Sequence, residues 1–282
     1  MTAACASGTE IGLACDCLAI DRIRRELATE HVGQQIYLFW EVTSTNDVLR
    51  RLAEDGAREG TVVLAEAQSA GRGRPGRRWF SPPAANLYAS VLLRPAIPPQ
   101  AAPVFSLIAS LALSDAVWAE GLPAETKWHN DVVIGGRKVG GTLVAWSAAE
   151  EHLDYVILGV GVNLNLDRPS LAAALGKEAA GATSLREAAG RVIDRNRFAA
   201  AFLNCLEKWL DAYRDRGADA VLAAWRGRDM LAGRRVKVRS RDEVYVARVL
   251  GVNHSGRLVV ETDDGQPREV LSGEIRIAEG RP

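Results

Sequence analysis

Residues 154–163 read DYVILGVGVN, a mostly apolar run that predicts a strand at the centre of a β-sheet. Residues 132–146 predict a hairpin that turns at Gly135-Gly136, because a pair of glycines adopts the positive φ of a tight turn without a steric cost. Further strand patterns lie at residues 35–42, 61–68, 86–93 and 125–128. These runs predict that a β-sheet forms the centre of the molecule.

Helical patterns separate these strands. Ser44 and Asp47 lie three residues apart and resemble a capping box ahead of a short amphipathic helix that ends at Gly56. Residues 101–120 are strongly apolar, but their serines and an aspartate predict a buried core helix rather than a membrane span. The other helix signals are residues 21–30, the Ser184-x-x-Glu187 capping box and residues 198–216, which end at Gly217.

From residue 233 onward the pattern changes to short β runs, which are separated by Asn-His-Ser-Gly and Asp-Asp-Gly turns. About fifty residues of this kind predict a small β-barrel. The predicted fold class is therefore α+β, a mixed β-sheet core flanked by helices with a small C-terminal β-barrel. The predicted division is a leader and short helix at residues 1–30, a main domain at 31–227 and the barrel at 228–282.

Composition excludes several classes of protein. The 282 residues contain 35 Lys+Arg and 35 Asp+Glu, and a net charge of zero argues against a protein that coats nucleic acid or an anionic membrane. Four cysteines are too few for a secreted disulfide scaffold, so Cys5, Cys15 and Cys17 are expected to be reduced thiols without a metal. The first 20 residues lack Lys and Arg, so we expect no signal peptide and a cytoplasmic location.

Residues 71–79, GRGRPGRRW, place four arginines and three glycines in nine positions. Three interpretations remain open: an anion-binding loop, a solvated connection, and an AT-hook whose arginines enter a narrow minor groove of DNA. The position between two strand patterns favours the anion-binding loop, because binding loops commonly connect the strands of a sheet.

Two further segments carry candidate functional residues. Residues 127–131 read KWHND, and Lys138 follows the predicted hairpin turn and precedes Gly140-Gly141, which lets backbone approach a ligand closely. Residues 159–163 read GVGVN and do not open a helix, so they are not a dinucleotide-binding fingerprint. Because the motifs of the common NTPases, hydrolases and metalloproteases are absent, an enzyme here is expected to use Arg and Lys around developing phosphate charge.

Ser44-Thr45-Asn46, Gln68, GRGRPGRRW, KWHND, RKVGG and GVGVN, in this order, resemble the bacterial biotin protein ligases. The C-terminal β runs resemble their SH3-like domain, and the resemblance covers roughly residues 32–278. It implies a class II synthetase-like biotin/lipoate ligase core at residues 31–227, of the monofunctional type.

The resemblance implies a two-step reaction with biotin and ATP as substrates and Mg²⁺ present. Biotin is first activated to biotinyl-5′-AMP, and it is then transferred to a lysine of a biotin carboxyl carrier protein, such as an acetyl-CoA carboxylase subunit. The implied partners include neither nucleic acid nor membrane, and a homodimer through sheet edges is compatible with the family.

The resemblance also implies roles for individual residues. Biotin is expected to contact Ser44, Thr45, Asn46, Gln68, Arg72, Gly73, Arg74, Lys138 and Gly141. ATP is expected to contact Arg74, Arg77, Trp79, Asn130, Lys138 and Asn163. Arg72, Asp131 and Lys138 are the expected catalytic residues, and no protein metal site is expected.

The sequence departs from the family pattern in two places, one in the KWHND segment and one near the C-terminus. His129 stands where the family generally has proline, so the backbone before Asn130 loses a fixed φ and gains an N–H. Arg276 and Ala278 leave open which residue of the C-terminal domain approaches ATP.

Three other functions are alternatives to a monofunctional ligase. Some family members are also repressors with an N-terminal winged helix, but only about 30 residues precede the predicted core, which is short for three helices. Lipoate and octanoyl transferases share the core, but they are not expected to carry the Arg-Gly run. A DNA-binding protein built on that run is the third alternative.

Overall fold

The computed structural model of the chain describes residues 17–73, 76–240 and 243–278, and its largest element is a seven-stranded mixed β-sheet. The strands are β1 (Ile36–Val42), β2 (Val62–Gln68), β3 (Leu87–Leu93), β4 (Ala124–Lys127), β5 (Asp131–Ile134), β6 (Arg137–Ala149) and β7 (His152–Val162). Their spatial order is β1-β2-β3-β7-β6-β5-β4. β1 and β2 run parallel and all other neighbours run antiparallel. The prediction that residues 154–163 form the central strand is confirmed, since β7 lies in the middle.

The helices are α1 (Ile20–Glu26), α2 (Thr45–Glu54), α3 (Val104–Ala119), α4 (Arg168–Leu175), α5 (Leu185–Ala189) and α6 (Arg195–Arg226), with 3₁₀ turns at Pro99–Ala101 and Gly176–Gly181. The predicted cap at Ser184 is confirmed, because its side chain accepts a hydrogen bond from the N–H of Glu187. The break at Gly217 is also present, with φ 70° and ψ −171°, although helical geometry resumes after it.

The predicted capping box at Ser44 is wrong. Ser44 is the N-cap of α2, but its side chain makes no capping hydrogen bond. The Asp47 carboxylate instead forms ion pairs with Arg50 and, at 2.6 Å, with Arg72 from a distant loop. A contact with a residue 25 positions away cannot be read from the local pattern.

The two faces of the sheet bury different residues. Alternation along β7 places Val156, Leu158 and Val160 in the main core with α3 and α6. Tyr155 and Ile157 point to the other face, where they form a smaller cluster with Leu49 and Ala53 of α2 and their neighbours. The face that carries α2 is therefore only partly covered by apolar side chains, and its remaining area is where the cavity described below lies.

The apolar helix predicted at residues 101–120 is α3. Pro99–Ala119 is the one segment of the described chain that is long and apolar enough, by length and composition, to cross a membrane. Within it, 72% of the apolar window is buried inside the structure, as for the core helix of a globular domain.

The C-terminal β unit is a five-stranded antiparallel sheet. Its strands are β8 (Arg235–Arg239), β9 (Val244–Val252), β10 (Leu258–Thr262), β11 (Pro267–Val270) and β12 (Glu274–Ile277). They pair in the order β11-β10-β9-β8-β12, so the predicted all-β unit is present. Within the described ranges, no pairing of β11 with β12 closes this sheet into a barrel.

Side chains of α6 hold the N-terminal segment. Asn196 accepts the N–H of Ala19, and Glu207 accepts the N–H groups of Glu30, His31 and Val32. The bonds to Glu207 satisfy N–H groups that further helical turns would otherwise use, and α1 ends at Glu26 and not at the predicted residue 30. Cys17 is disulfide-bonded, which contradicts the expected reduced thiol, and Cys5 and Cys15 lie outside the described residues.

Candidate functional site

A cavity of about 760 Å³ lies on the α2 face of the seven-stranded sheet. Its walls come from the start of α2, the end of β2, the Arg-Gly loop, the β5–β6 hairpin, β7, α4 with the following 3₁₀ turn, and β12. We call the part lined by the buried neutral side chains Ser44, Thr45 and Asn46 at the start of α2 the closed end, and the part lined by the charged side chains of the hairpin, the 3₁₀ turn and β12 the open end.

The closed end is a chain of hydrogen bonds among buried neutral side chains. Gln68 accepts the backbone N–H of Thr45 at 2.9 Å and donates to the hydroxyl of Ser81 at 3.0 Å. Ser90 is fully buried on β3, and it donates to Asn46 Oδ1 at 2.6 Å and lies 2.7 Å from the Thr45 hydroxyl. This chain fixes the orientation of the amide and hydroxyl groups that face the cavity.

Two glycines of β7 make room for this arrangement. A Cβ on Gly159 would lie 2.2 Å from Asn46 Oδ1, and a Cβ on Gly161 would lie 2.6 Å from the indole of Trp79. Both distances are far below van der Waals contact. The glycines of GVGVN are therefore needed because β7 is the floor of the cavity at these two positions.

Lys138 dominates the open end. It is the second residue of β6 and lies next to an irregular pairing with β5, and its Nζ lies 2.5 Å from Asp131 Oδ1. The backbone of Gly141 comes close to it, since a Cβ there would lie 3.1 Å from Lys138 Nζ. Asn130 is buried beside them and donates to the carbonyl of Thr142 at 2.6 Å. The hairpin thus presents an ammonium group and a carboxylate side by side.

The Arg-Gly loop folds back on itself over the cavity. Gly73 donates to the carbonyl of Arg77 at 3.0 Å, and Arg72 and Arg78 form an antiparallel bridge. The guanidinium of Arg72 lies 2.6 Å from Asp47 of α2, so the loop is tied to the closed end. Arg74, expected at both ligands, lies outside the described residues.

Trp79 and Asn163 border the open end. The ring of Trp79 stacks against Gly161, and Lys138 Nζ lies 5.3 Å from its centroid. Its indole Nε1 is buried and has no hydrogen-bond partner among the described residues. Asn163 is buried and donates to the carbonyl of Thr183 at 3.0 Å, which ties β7 to the segment before α5.

The C-terminal sheet forms one side of the mouth through Glu274, Ile275 and Arg276 of β12. Arg77 of the Arg-Gly loop lies 3.3 Å from Glu274. The hydrogen bond and charge of Arg276 hold the pKa of Glu274 below its usual value, so this carboxylate is ionised at neutral pH.

The described lining residues include seven Lys or Arg side chains and three Asp or Glu side chains. An excess of cations around a concave surface attracts and holds polyanions such as nucleotide phosphates. The arrangement can therefore bring a small neutral polar group and a strongly anionic group to adjoining ends of one cavity.

Every predicted site residue within the described ranges lines this cavity. They are Ser44, Thr45, Asn46, Gln68, Arg72, Gly73, Arg77, Trp79, Asn130, Asp131, Lys138, Gly141 and Asn163. The peptide bond between Trp128 and His129 is cis, and Asn130 and Asp131, which follow His129, both lie in the lining.

Sequence reasoning missed two parts of the site. Ser90 carries hydrogen bonds of the closed end, and its signal was the one serine inside the mostly apolar run NLYASVLL. The wall formed by α4 and the 3₁₀ turn, with Leu171, Leu175 and Lys177 in the lining, had no motif that pointed to it.

Comparisons with known proteins agree with this geometry. The Biotin/lipoate A/B protein ligase family matches residues 38–163, and the Biotin protein ligase C terminal domain matches residues 232–277. The bifunctional ligase/repressor BirA of Bacillus subtilis (strain 168) is 33% identical over 261 residues, which cover 92% of this chain and 79% of that protein. The biotin--[acetyl-CoA-carboxylase] ligase of Mycobacterium tuberculosis is 35% identical over 275 residues, covering 90% of this chain and 97% of that one.

Among solved structures, the biotin protein ligase of Aquifex aeolicus in complex with biotin and ATP superposes with a TM-score of 0.73 at 26% identity. The match covers 87% of this chain and all of that chain. The likeness therefore extends through both the mixed sheet and the C-terminal sheet. On the combined agreement of motifs, fold and relatives, this chain belongs to the biotin protein ligase family.

Proposed function

We propose that this chain is an ATP-dependent biotin protein ligase that attaches biotin to a lysine of a biotin carboxyl carrier protein. The observation that carries the proposal is the cavity itself, which joins a closed end of neutral hydrogen-bonding groups to an open end rich in cations. Biotin has a neutral polar head and an anionic tail, and ATP is a polyanion, so the two ends suit the two substrates. The Aquifex aeolicus relative has biotin and ATP bound.

Biotin would place its head at the closed end. Ser44, Thr45, Asn46 and Gln68 are buried or half-buried there and offer both donors and acceptors. Ser90 and Ser81 already fix the orientations of Thr45, Asn46 and Gln68, so little conformational entropy is lost on binding. The carboxylate would then point to Lys138, beside Gly141 and the loop of Arg72, Gly73 and Arg74.

ATP would occupy the open end. Trp79 offers an aromatic face above Gly161, and Asn163 and Asn130 border the same space. Arg77 lies where the phosphates would extend towards β12, and the expected role of Arg74 at ATP is part of the same proposal. Arg276 is the residue of the C-terminal sheet that we propose to approach the phosphates, since it lines the mouth.

In the first step, a biotin carboxylate oxygen attacks the α-phosphorus of ATP and the bond to the pyrophosphate oxygen breaks. Two anions must be brought together, and fixed cations at Lys138 and Arg72 offset their repulsion and stabilise the transition state. No group of three or more metal-ligating side chains exists among the described residues. Mg²⁺ is therefore proposed to arrive as part of the MgATP substrate, held mainly by phosphate oxygens.

In the second step, the ε-amine of the carrier lysine attacks the carbonyl of biotinyl-5′-AMP, and AMP leaves while the amine gives up a proton. The mixed anhydride must be protected from water until the carrier arrives. The Arg-Gly loop, which is tied to α2 by Arg72 and Asp47 and to β12 by Arg77 and Glu274, is placed to shield it.

The finer assignments belong to the same proposal. The main domain at residues 31–227 would be catalytic, and the unit at residues 228–282 would be SH3-like, supported by its five antiparallel strands. The carrier would be a biotin-accepting carboxylase subunit, as the name of the Mycobacterium tuberculosis relative suggests. A cytoplasmic location, a homodimer, and partners that include neither DNA nor membrane complete the proposal.

The test is biotin-dependent ATP–pyrophosphate exchange by the purified chain, with lipoate and octanoate as alternative acids. Exchange with biotin alone is expected, and exchange with lipoate or octanoate in its place would overturn the substrate. Lys138→Ala should slow exchange by roughly 100-fold or more, because a cation at the developing charge is lost. Lys208→Ala, on the exposed face of α6, is the matched control and should exchange as wild type does.

A further inference from the structure

Glu187 of α5 does not line the cavity, yet its carboxylate joins two segments that do. Oε1 accepts a hydrogen bond from Arg137 Nη1 at 2.7 Å, and Oε2 lies 3.7 Å from Arg168 Nη1. The carboxylate is largely buried, with 23% of the side chain exposed. It is therefore the shared anion between two guanidinium groups that come from distant parts of the chain.

Each arginine is attached to a wall of the open end. Arg137 is the residue immediately before Lys138, whose carbonyl accepts the N–H of Thr183 at 2.9 Å. Arg168 is the first residue of α4, the helix that contributes Leu171 and Leu175 to the lining. Glu187 thus connects the hairpin that presents Lys138 with the wall formed by α4.

The backbone that carries Glu187 is itself well anchored. Its N–H donates to Ser184 Oγ at 3.1 Å, and Ser184 Oγ donates to the carbonyl of Leu166 at 2.6 Å. The N–H of Leu185 donates to the carbonyl of Asn163 at 2.9 Å. Because this segment is fixed to the end of β7, the carboxylate provides a stationary point for both arginines.

We infer that Glu187 is a positioning residue for the adenylation step, a role that rests on the proposed function. It holds Lys138 and α4 at the separation that the nucleotide requires. Without the carboxylate, Arg137 and Arg168 would repel each other across a short distance, and the hairpin and α4 would move apart. Among the described residues, the hydrogen bonds and ion pairs of these two arginines go to Glu187 and Ala182, and none joins them to Ser44, Thr45, Asn46 or Gln68 of the closed end.

The magnitudes separate this role from a purely structural one. Both arginines are about two-fifths exposed, and ion pairs of this exposure contribute only about 0–1 kcal/mol to stability. Catalysis is far more sensitive, since misplacing a reacting group by about 1 Å can cost roughly 100-fold in rate. Removal of the charge is therefore expected to affect the kinetics while the protein stays folded.

The experiment is steady-state ATP–pyrophosphate exchange by Glu187→Gln, which keeps the shape of the side chain and removes its charge. We expect kcat/KM for ATP to fall by roughly 10-fold or more, with KM for biotin within about twofold of wild type. Glu261→Gln, which breaks an exposed pair with Arg248 of 2.8 Å on the C-terminal sheet, is the control and should change neither constant.

A double-mutant cycle with Arg137→Gln supplies the second readout. If Glu187 acts through Arg137, the double variant will be little worse than Glu187→Gln alone, because both remove the same contact. Three results would each overturn the inference. They are a wild-type kcat/KM for ATP in Glu187→Gln, an equal loss of kcat/KM for ATP and for biotin, and fully additive effects of Glu187→Gln and Arg137→Gln in the double variant. A wild-type chain that shows no biotin-dependent exchange would instead refute the proposed function, so the two failures are distinguishable.

Discussion

Alanine at Gly159 and at Gly161 should damage the two ends of the cavity separately, although the two positions are only two residues apart on β7. At Gly159 the new Cβ would meet Asn46 at the closed end, and at Gly161 it would meet Trp79 at the open end. Neither glycine has a positive φ, so alanine is compatible with the strand backbone. The perturbation is therefore one methyl group in each case.

The structure gives the size of the effect. A Cβ 2.2 Å from Asn46 Oδ1 must push that amide away by about 1 Å to reach ordinary contact, which breaks its 2.6 Å hydrogen bond from Ser90. Losing that bond and the correct amide orientation costs about 1–3 kcal/mol of biotin binding, or roughly 5- to 150-fold. A Cβ on Gly161, 2.6 Å from the Trp79 indole, displaces that ring. The affinity for ATP should therefore fall by a similar factor.

The assay is ATP–pyrophosphate exchange with biotin varied at saturating ATP, and then the reverse. Gly159→Ala should raise KM for biotin and Gly161→Ala should raise KM for ATP, each with less than about a threefold change in the other constant. Gly227→Ala is the control, since its Cβ would meet nothing closer than 3.4 Å. Unchanged KM for biotin in Gly159→Ala, or the same pattern in both variants, would refute the assignment of the two ends.

Two further predictions follow from other buried groups. Ser90→Ala removes the hydrogen-bond donor to Asn46 Oδ1, so KM for biotin should rise by roughly 5-fold or more while KM for ATP is unchanged. A KM for biotin equal to that of wild type would show that Ser90 plays no part in biotin binding. Burial raises the pKa of Asp229 to about 6, so the folded state binds a proton more tightly than the unfolded chain and stability falls as pH rises from about 4 to above 6, by up to about 3 kcal/mol. In urea unfolding at pH 4 and pH 8, Asp229→Asn should lack this fall; identical pH dependence in both proteins would contradict it.

The central strand and the positions of most site residues could be predicted because their causes are local. The hairpin at Gly135-Gly136 and the cap at Ser184 depend on backbone conformation or on neighbours within four residues. The motifs themselves lie on strand ends that the sheet brings together, so recognising their order was enough to predict one cavity.

The errors came from contacts between distant residues. The capping box at Ser44 failed because Asp47 is taken by Arg72, and α1 ended early because Glu207, some 180 residues away, binds the N–H groups that follow it. Ser90 looked like an ordinary strand residue until the sheet placed it under Thr45 and Asn46. No local pattern carries information about such partners.

The contact between Arg77 and Glu274 joins residues 197 positions apart, and it has a consequence for the order in which the site is assembled during synthesis. The closed end draws its groups from residues 44–159, whereas the mouth needs β12. Because domains generally fold from the N-terminus as the chain emerges from the ribosome, a nascent chain would complete the closed end long before the mouth. The ability to retain a reactive adenylate would then be among the last properties that the newly made protein acquires.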